Sequence, residues 1–483
     1  MPRRETDAPR RVGLASATPA PTPVNEPVVP DKAWLLLKND SIRKIGFYFA
    51  LAFVFFRFSL LHELLTAKLG FNTYILYLIG PPALLLLLMT GGLPRALRSR
   101  TAWCWLLFTI WMAACVPFSF WRAGSLTITS SYIRTEAPML FLVAGMAVTL
   151  AECYQIIAAI SLSAAFNVYM AKSFAELDIA GRFNMAFSSI ANANDMAAHL
   201  LLVLPILGFY VFGPKQRLIW RILGLLVLGY GLYLILGTGS RGAFVSLMVM
   251  ILVLVMKGSG LQRMVVLAGF PIAFLLIVPV LPQATSDRLL SVFGSGGGEL
   301  ESSEAQGSRQ QRMYLLQRSL LHTFTHPIFG VGPGQFLDYD SNYLIANQKR
   351  GTWQVSHNAY TQISSELGIP GFLFMMGGTL GAFFTLSRLS KRLRNARDCL
   401  EVRRLRSLVT MVLVSQASFC TSIFFLSLGY RFYLPFIAGL TIALQVAINA
   451  ELPQIEQSAA NAAERYRLQQ PRSVGGVSQE TPA

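Results

Sequence analysis

Charged residues are scarce in this chain. They make up 13% of its 483 residues, whereas 53% are hydrophobic, and soluble globular proteins carry about 25% charged residues. This balance excludes an ordinary soluble domain. The five cysteines lie within or beside apolar segments and at no metal-ligand spacing, which argues against a disulfide framework or a zinc site and favours small hydrophobic packing residues.

Long apolar runs recur along the chain. A helix needs about 20 apolar residues to cross a hydrocarbon core about 30 Å thick. We therefore predict an all-α, polytopic membrane protein with about twelve transmembrane helices and one long outer loop, residues 282–356, between the ninth and tenth. The predicted spans are 45–61, 71–90, 102–120, 137–151, 155–171, 195–212, 222–237, 243–256, 264–281, 369–387, 407–427 and 433–449.

The net charge of +17 is mostly topological. With the N-terminus in the cytoplasm, 27 of the 41 Lys and Arg lie in cytoplasmic segments and 13 lie outside, leaving Arg57 alone within a span. Such an excess inside the cell sets the orientation of membrane proteins. We predict that both termini are cytoplasmic and that nucleic acid is not a partner. Residues 1–40 are predicted to be disordered, 41–450 to form the transmembrane domain and 451–483 a polar tail.

Two polar interruptions stand out on the predicted outer side. In GRFNMAFSSIANAND, Arg182 precedes a helix that either Asn194 or Ser189 is expected to cap, with its N-terminus directed outward. In LGTGSRGAF, glycines surround Arg241 and allow backbone N–H groups to approach a ligand. Arginine offers a planar fork suited to phosphate oxygens. The alternatives are a capping loop with a snorkelling arginine and a tight hairpin with an interfacial one.

The long outer loop carries the remaining candidates. SRQQRMYLLQRSLLHTF is predicted to form a basic amphipathic helix that includes Arg312. HPIFGVGPGQF then forms a tight glycine-rich turn, and it is no dinucleotide fingerprint because no strand–helix context surrounds it. Either membrane association or a role in a site explains the amphipathic helix.

The last polar segment is SHNAYTQISSELGIPGF. Ser356 is expected to cap a helix that ends at Gly368 or Pro370. His357 lies at its start, where a neutral imidazole accepts a proton from a hydroxyl or orients it. Asn358 follows, and Glu366 is expected two turns further inside the protein, paired with an arginine. A purely structural histidine is the alternative.

TGSRGAF, HPIFGVGPGQF and SHNAYTQISSELGIPGF, in this order, resemble the O-antigen ligase/polymerase superfamily of bacterial envelope glycosyltransferases. With the upstream GRF…NAND element, the resemblance covers roughly residues 180–430. It implies metal-independent transfer of a glycan, without a cofactor, from an undecaprenyl-pyrophosphate carrier. The acceptor would be lipid A core, a growing glycan or a protein hydroxyl, on the periplasmic side of the inner membrane. By that similarity the pyrophosphate ligands are Arg182, Arg241 and Arg312, the acceptor-activating residue is His357, and the supporting residues are Asn194, Asn358 and Glu366.

Several alternatives stay open from the sequence. The motifs do not separate a ligase from a polymerase, since both act on the same carrier group. A multi-pass transporter or flippase of a lipid-linked sugar or an anion is the main rival, although such proteins place their sites near the midplane between repeated halves and no repeat is visible here. A non-catalytic scaffold predicts that Arg182, Arg241 and His357 are each replaceable.

Overall fold

The computed structural model describes residues 32–178, 181–185, 188–190, 192–290 and 299–469. It confirms the all-α class. The predicted disorder of residues 1–40 is wrong for Lys32–Asn39, which form a helix; residues 1–31 lie outside the described residues. At the other end, the last helix, Tyr433–Gln469, continues well into the predicted tail, and residues 470–483 are outside the described residues.

The helices are numbered in chain order. The first nine are α1 Lys32–Asn39, α2 Ser41–Ser59, α3 Leu61–Leu69, α4 Ile75–Met89, α5 Gly92–Ala96, α6 Arg100–Cys115, α7 Arg122–Ser131, α8 Pro138–Met146 and α9 Leu150–Phe174. A two-stranded antiparallel hairpin, β1 Glu176–Leu177 and β2 Phe183–Asn184, comes next. The others are α10 Ala193–Phe212, α11 Leu218–Gly237, α12 Arg241–Lys257, α13 Gly260–Ile277, α14 Gln283–Leu290, α15 Glu299–Thr325, α16 Phe336–Ala346, α17 Ala359–Asn395, α18 Leu400–Ser422 and α19 Tyr433–Gln469.

The predicted count of twelve spans is not confirmed. Within the described part of the chain, eight helices are long and apolar enough to cross a membrane, or nine if the bent pair α2–α3 is one span. Three short helices account for the difference. The fourth predicted span contains α8, which has 9 residues, and the second contains α4, which has 15 residues and two internal prolines; the eighth lies within α12, which has 17 residues.

Helices α10 and α18 form the centre of the bundle. They pack against each other. In the apolar stretch of α10, 83% of the residues are buried, whereas in the apolar stretch of α13 only 6% are buried. A helix that is apolar all round and buried belongs to the core of the bundle, whereas an equally apolar exposed helix suits lipid contact. α10 and α12 both pack on α18, so the segments that begin these helices are held on a buried support.

Arg57, the basic residue predicted within a span, has a carboxylate partner. A short π-helix, Tyr132–Glu136, presents Glu136, whose Oε1 lies 2.7 Å from a guanidinium nitrogen of Arg57. The other oxygen of Glu136 accepts the N–H of Phe432 at 2.7 Å. Burying a charge is costly unless it is paired. This pair therefore links α2 to the start of α19.

Candidate active site

A cavity of about 380 Å³ lies where α10, α12 and α17 begin. Six of the seven site residues predicted from the sequence line it: Arg182, Asn194, Arg241, Arg312, His357 and Asn358. The seventh, Glu366, does not. The structure thus brings together residues from five separate segments of the chain, which the sequence order alone leaves far apart.

Arg182 is held by the β1–β2 hairpin. Its guanidinium contacts Asp178 through Nε at 2.8 Å and through a terminal nitrogen at 2.6 Å, and its backbone N–H donates to the same carboxylate at 3.0 Å. Thr285 on α14 donates to the carbonyl of Gly181 at 2.8 Å. Asp178 and α14 therefore fix the direction from which Arg182 approaches the cavity.

Arg241 is the first residue of α12. The predicted glycine-rich break separates α11 from α12, and Gly239 within it has φ 55°, a left-handed conformation that favours glycine. Ser240 caps α12 by accepting the N–H of Ala243 at 3.2 Å. Gly239, Ser240 and Arg241 all line the cavity, so the N-terminus of α12 contributes to it.

Asn194 reaches the cavity from the first turn of α10. The prediction that Asn194 or Ser189 caps this helix is wrong, because Asn192 is the cap and accepts the N–H of Asn194 at 2.8 Å. The backbone of Ser189 instead donates to Glu63 at 2.7 Å. Because Asn192 is the cap, the side chain of Asn194 is available to line the cavity.

Helix α15 supplies Arg312, which is partly buried. Burial lowers the pKa of Arg312, and the nearby positive charges of Arg182 and Arg241 lower it further. Each of these effects disfavours the charged form of a basic group. Arg312 is therefore close enough to Arg182 and Arg241 to be repelled by both, as expected where a multivalent anion binds.

Helix α15 is fixed to α16 by a buried polar cluster. Asp340 on α16 accepts hydrogen bonds from Arg318 at 2.6 Å and from His322 at 2.8 Å, both on α15. Burial alone raises the pKa of Asp340, but the hydrogen bonds from His322 and Arg318 lower it below its ordinary value. The carboxylate therefore stays ionised, and it anchors the helix that carries Arg312 two turns earlier.

His357 directly precedes α17 and has φ 52°, a left-handed conformation that is uncommon outside glycine. The predicted cap Ser356 is wrong: Asn358 caps α17 by accepting the N–H groups of Tyr360 at 2.9 Å and Thr361 at 3.2 Å. Burial lowers the pKa of His357, and the charge of Arg312 lowers it further. The imidazole is therefore neutral at neutral pH and able to accept a proton.

Glu366 has a structural place outside the cavity. The prediction that Glu366 pairs with an arginine is wrong. The Glu366 carboxylate instead accepts the N–H of Gly334 at 2.8 Å and the N–H of Phe336 at 3.3 Å. α17 is kinked at Gly368, and a Cβ on Gly330 would lie 2.3 Å from the backbone of Glu366. HPIFGVGPGQF is thus a close-packed turn against the kink, and it supports α17 rather than contacting a ligand.

Two further arginines, Arg288 on α14 and Arg309 on α15, line the same cavity. Arg309 lies three residues before Arg312, so helical spacing places both on one face; Arg288 had no signal in the sequence. The remaining lining residues are apolar or small: Met313, Leu316, Phe424, Phe425 and Ser356. Across the part of the chain that the structure describes, no group of three or more His, Cys, Asp or Glu is arranged to hold a metal ion.

The fold and the cavity define a polytopic α-helical membrane protein with a strongly cationic cavity. Within it, residues 226–376 match the family model described as O-antigen ligase. The match confirms the resemblance to the O-antigen ligase/polymerase superfamily, a family of the glycan-transfer type, and together with the apolar helices it indicates a multi-pass protein of the bacterial inner membrane. A comparison with curated proteins returned no match.

Proposed function

We propose that this protein transfers a glycan from an undecaprenyl-pyrophosphate carrier to an acceptor hydroxyl. The reaction would be that of an O-antigen ligase or of an exopolysaccharide polymerase, at the outer face of the inner membrane. One observation carries the proposal: five arginines and the N-termini of three helices converge on one cavity, and none of the lining residues that the structure describes is a carboxylate. That set of groups suits a pyrophosphate, and the family match supports the glycan attached to it.

The pyrophosphate is assigned to Arg182, Arg241 and Arg312. Guanidinium groups bind phosphate oxygens through paired hydrogen bonds. The N-termini of α10, α12 and α17 add partial positive charge and backbone N–H donors. These groups also stabilise the charge that develops on the leaving pyrophosphate as its bond to the anomeric carbon breaks. Asn194 and Asn358 supply neutral hydrogen-bonding groups beside them.

His357 is assigned to the acceptor. The acceptor oxygen attacks the anomeric carbon, the bond from that carbon to the pyrophosphate oxygen breaks, and the imidazole receives the hydroxyl proton. The lowered pKa of His357 keeps it neutral before the reaction, which a general base requires. In this assignment Glu366 acts only by holding the turn that supports α17.

The apolar lining of the cavity suits the polyprenyl end of the carrier. Phe424, Phe425, Met313 and Leu316 line the cavity together with the arginines. Because the carrier joins a charged pyrophosphate directly to an isoprenoid chain, a site for it needs both kinds of surface side by side. We place the catalytic domain at residues 41–450, with α14 and α15 of the predicted outer loop 282–356 contributing lining residues to the cavity.

A transfer assay tests the proposal. Purified protein in nanodiscs is given a synthetic undecaprenyl-pyrophosphate oligosaccharide and, separately, lipid A core, a free oligosaccharide and a hydroxyl-bearing peptide. EDTA is present, since we propose that the arginines replace a metal. The expected result is a glycosylated acceptor with an equal amount of released undecaprenyl pyrophosphate. Absence of transfer to all acceptors, together with movement of the carrier across a vesicle membrane, would instead establish a flippase.

A further inference from the structure

The segment between α18 and α19 contacts both the turn that carries Arg241 and the turn that carries His357. Phe425 packs on the glycine-rich turn, so closely that a Cβ on Gly242 would lie 2.9 Å from its ring. Two residues later, Ser427 accepts the N–H of His357 at 2.9 Å. Both residues lie beyond the 226–376 segment that the family model covers. The segment therefore connects the Arg241 turn with the His357 turn.

Three hydrogen bonds around His357 form a continuous chain. The N–H of His357 donates to Ser427 Oγ at 2.9 Å, the hydroxyls of Ser427 and Ser356 are 3.2 Å apart, and Ser356 Oγ donates to the carbonyl of Asn358 at 3.2 Å. Because the single proton of Ser356 goes to that carbonyl, the proton between the two hydroxyls belongs to Ser427. Each hydroxyl is thus donor and acceptor at once, and such chains reinforce their members.

These hydrogen bonds hold a strained backbone at His357. His357 has φ 52°, and a non-glycine residue keeps such a conformation only where its surroundings enforce it. The next residue returns to extended geometry, with φ −154°, and begins the cap of α17. Without an acceptor on its N–H, the His357 peptide has less reason to remain left-handed, and the imidazole would enter the cavity from a different direction.

The segment that carries Ser427 is itself firmly fixed. The N–H of Gly429 donates to the side chain of Gln362 on α17 at 3.2 Å, and the N–H of Phe432 donates to Glu136 at 2.7 Å. The hydroxyl of Tyr360 donates to the carbonyl of Cys420 at 2.8 Å. Ser427 is therefore presented by a segment that is anchored on both sides, which a positioning residue requires.

We propose that Ser427 is a positioning residue for His357: by accepting the His357 N–H and donating to Ser356, it sets the place of the imidazole in the cavity. The inference rests on the role of His357 in the proposed function. Ser427 itself does not line the cavity and touches no reacting atom. Its hydroxyl acts through the His357 N–H and through Ser356.

Kinetics of Ser427→Ala and Ser427→Thr test the proposal. Ser427→Ala is expected to lower kcat about 10- to 100-fold, as small misplacements of catalytic groups do, with the donor KM within about twofold. Ser427→Thr keeps the hydroxyl and is expected to stay within about threefold of wild type. Thr421→Val is the matched control, because its hydroxyl bonds only within α18. Equal losses in the Ala and Thr variants, or none in Ala, would overturn the proposal.

A double-mutant cycle separates positioning from an independent effect. If Ser427 acts only through His357, then Ser427→Ala causes no further loss in a His357→Ala background. The residual transfer is measured over long incubations. A full additional loss in the double variant would show that Ser427 acts elsewhere, for example by supporting the fold, and would contradict the proposal.

A readout without catalysis keeps this inference distinct from the proposed function. Acylation of histidine side chains by diethyl pyrocarbonate, followed by peptide mass mapping, gives a modification rate for each histidine. In Ser427→Ala the rate at His357 is expected to change at least about threefold, whereas His326, on a different turn, serves as the reference and keeps its rate. If the wild-type protein transfers no glycan, the proposed function fails. The positioning role is rejected separately, by an unchanged modification rate of His357 in Ser427→Ala.

Discussion

Two arginines of this protein, Arg57 and Arg312, differ in how their charge is compensated. Arg57 is 8% exposed, lies 2.7 Å from Glu136 and stacks over the ring of Phe432 at 4.5 Å. Arg312 is also partly buried, but the charges that perturb its pKa are those of two other arginines. The fold supplies Arg57 with an anionic partner, whereas Arg312 is placed where a ligand would supply the opposite charge. This contrast separates structural from functional arginines in one chain.

The same contrast holds at the other end of α2. Arg43 is fully buried, with a nitrogen 2.8 Å from Glu152 and another donating to the carbonyl of Met146 at 2.6 Å. Such an arginine joins helices, and its partners fix its position. Arg312 is instead repelled by Arg182 and Arg241, which costs stability in the ligand-free protein and increases affinity for an anion.

The largest expected effect is on catalysis. Arg241→Ala and His357→Ala should each lower kcat about 100- to 1,000-fold, because removal of one group that stabilises the transition state has this effect in other enzymes. Arg350→Ala is the control, since this exposed arginine does not line the cavity. Initial rates of glycan transfer measure the effect. A wild-type rate in Arg241→Ala would remove the distinction between the two kinds of arginine, and a wild-type rate in His357→Ala would remove the catalytic role of His357.

The next effect is on stability. Glu136→Gln leaves Arg57 buried without its anionic partner and should cost about 3 kcal/mol. Thermal unfolding in detergent, followed by intrinsic fluorescence, measures the loss. A paired Arg57→Met and Glu136→Met variant should recover much of it, because no charge then remains buried. A single variant as stable as wild type would contradict the structural role of this pair.

Arg312→Gln should act in the opposite way on stability and should shift a pH profile. Removing one of three mutually repelling cations is expected to leave the melting temperature unchanged or slightly higher. It also removes a charge that lowers the pKa of His357, so that pKa rises. Since the neutral imidazole is the active form, the acid limb of kcat/KM moves to higher pH, whereas in wild type it lies below the ordinary value of 6.5. A shift to lower pH would refute this arrangement.

The smallest effect is expected at Asp178. This carboxylate orients Arg182, but both side chains are partly exposed, with 27% and 21% of their surface accessible, so solvent screens the pair. Asp178→Asn should raise the donor KM about threefold and change stability by less than about 0.5 kcal/mol. Donor titrations at low and high salt measure the change in KM, and thermal unfolding measures the change in stability. A loss as large as that of Arg241→Ala would make Asp178 part of the binding site itself.

Much of the cavity was predictable because its residues break a simple pattern. In a chain made of apolar spans, polar interruptions contain Arg182, Arg241 and His357. The alternation of the predicted spans puts these interruptions on one side of the membrane. Helix caps were not predictable to the residue: Asn192 and Asn358 cap α10 and α17, in place of the expected neighbours. Serine, threonine and asparagine are similar in cap preference, so the backbone geometry decides.

Other features depend on tertiary structure. Ser427 lies in an apolar segment with no motif, and only the folded chain shows that it bonds to His357. Glu366 was expected to bond an arginine, but a turn thirty residues earlier in the chain offers it two backbone N–H groups. The number of spans was uncertain for a physical reason as well, since the 9-residue α8 and the 66° bend between α2 and α3 interrupt the apolar pattern.

The measurement that tests the central claim most directly is a cryo-electron microscopy structure of the protein in nanodiscs with undecaprenyl pyrophosphate bound. Our account predicts diphosphate density in contact with Arg182, Arg241 and Arg312, with its terminal phosphate directed towards His357 and the isoprenoid chain beside Phe424. Diphosphate density outside this cavity, or an empty cavity at a lipid concentration that saturates binding, would contradict the account.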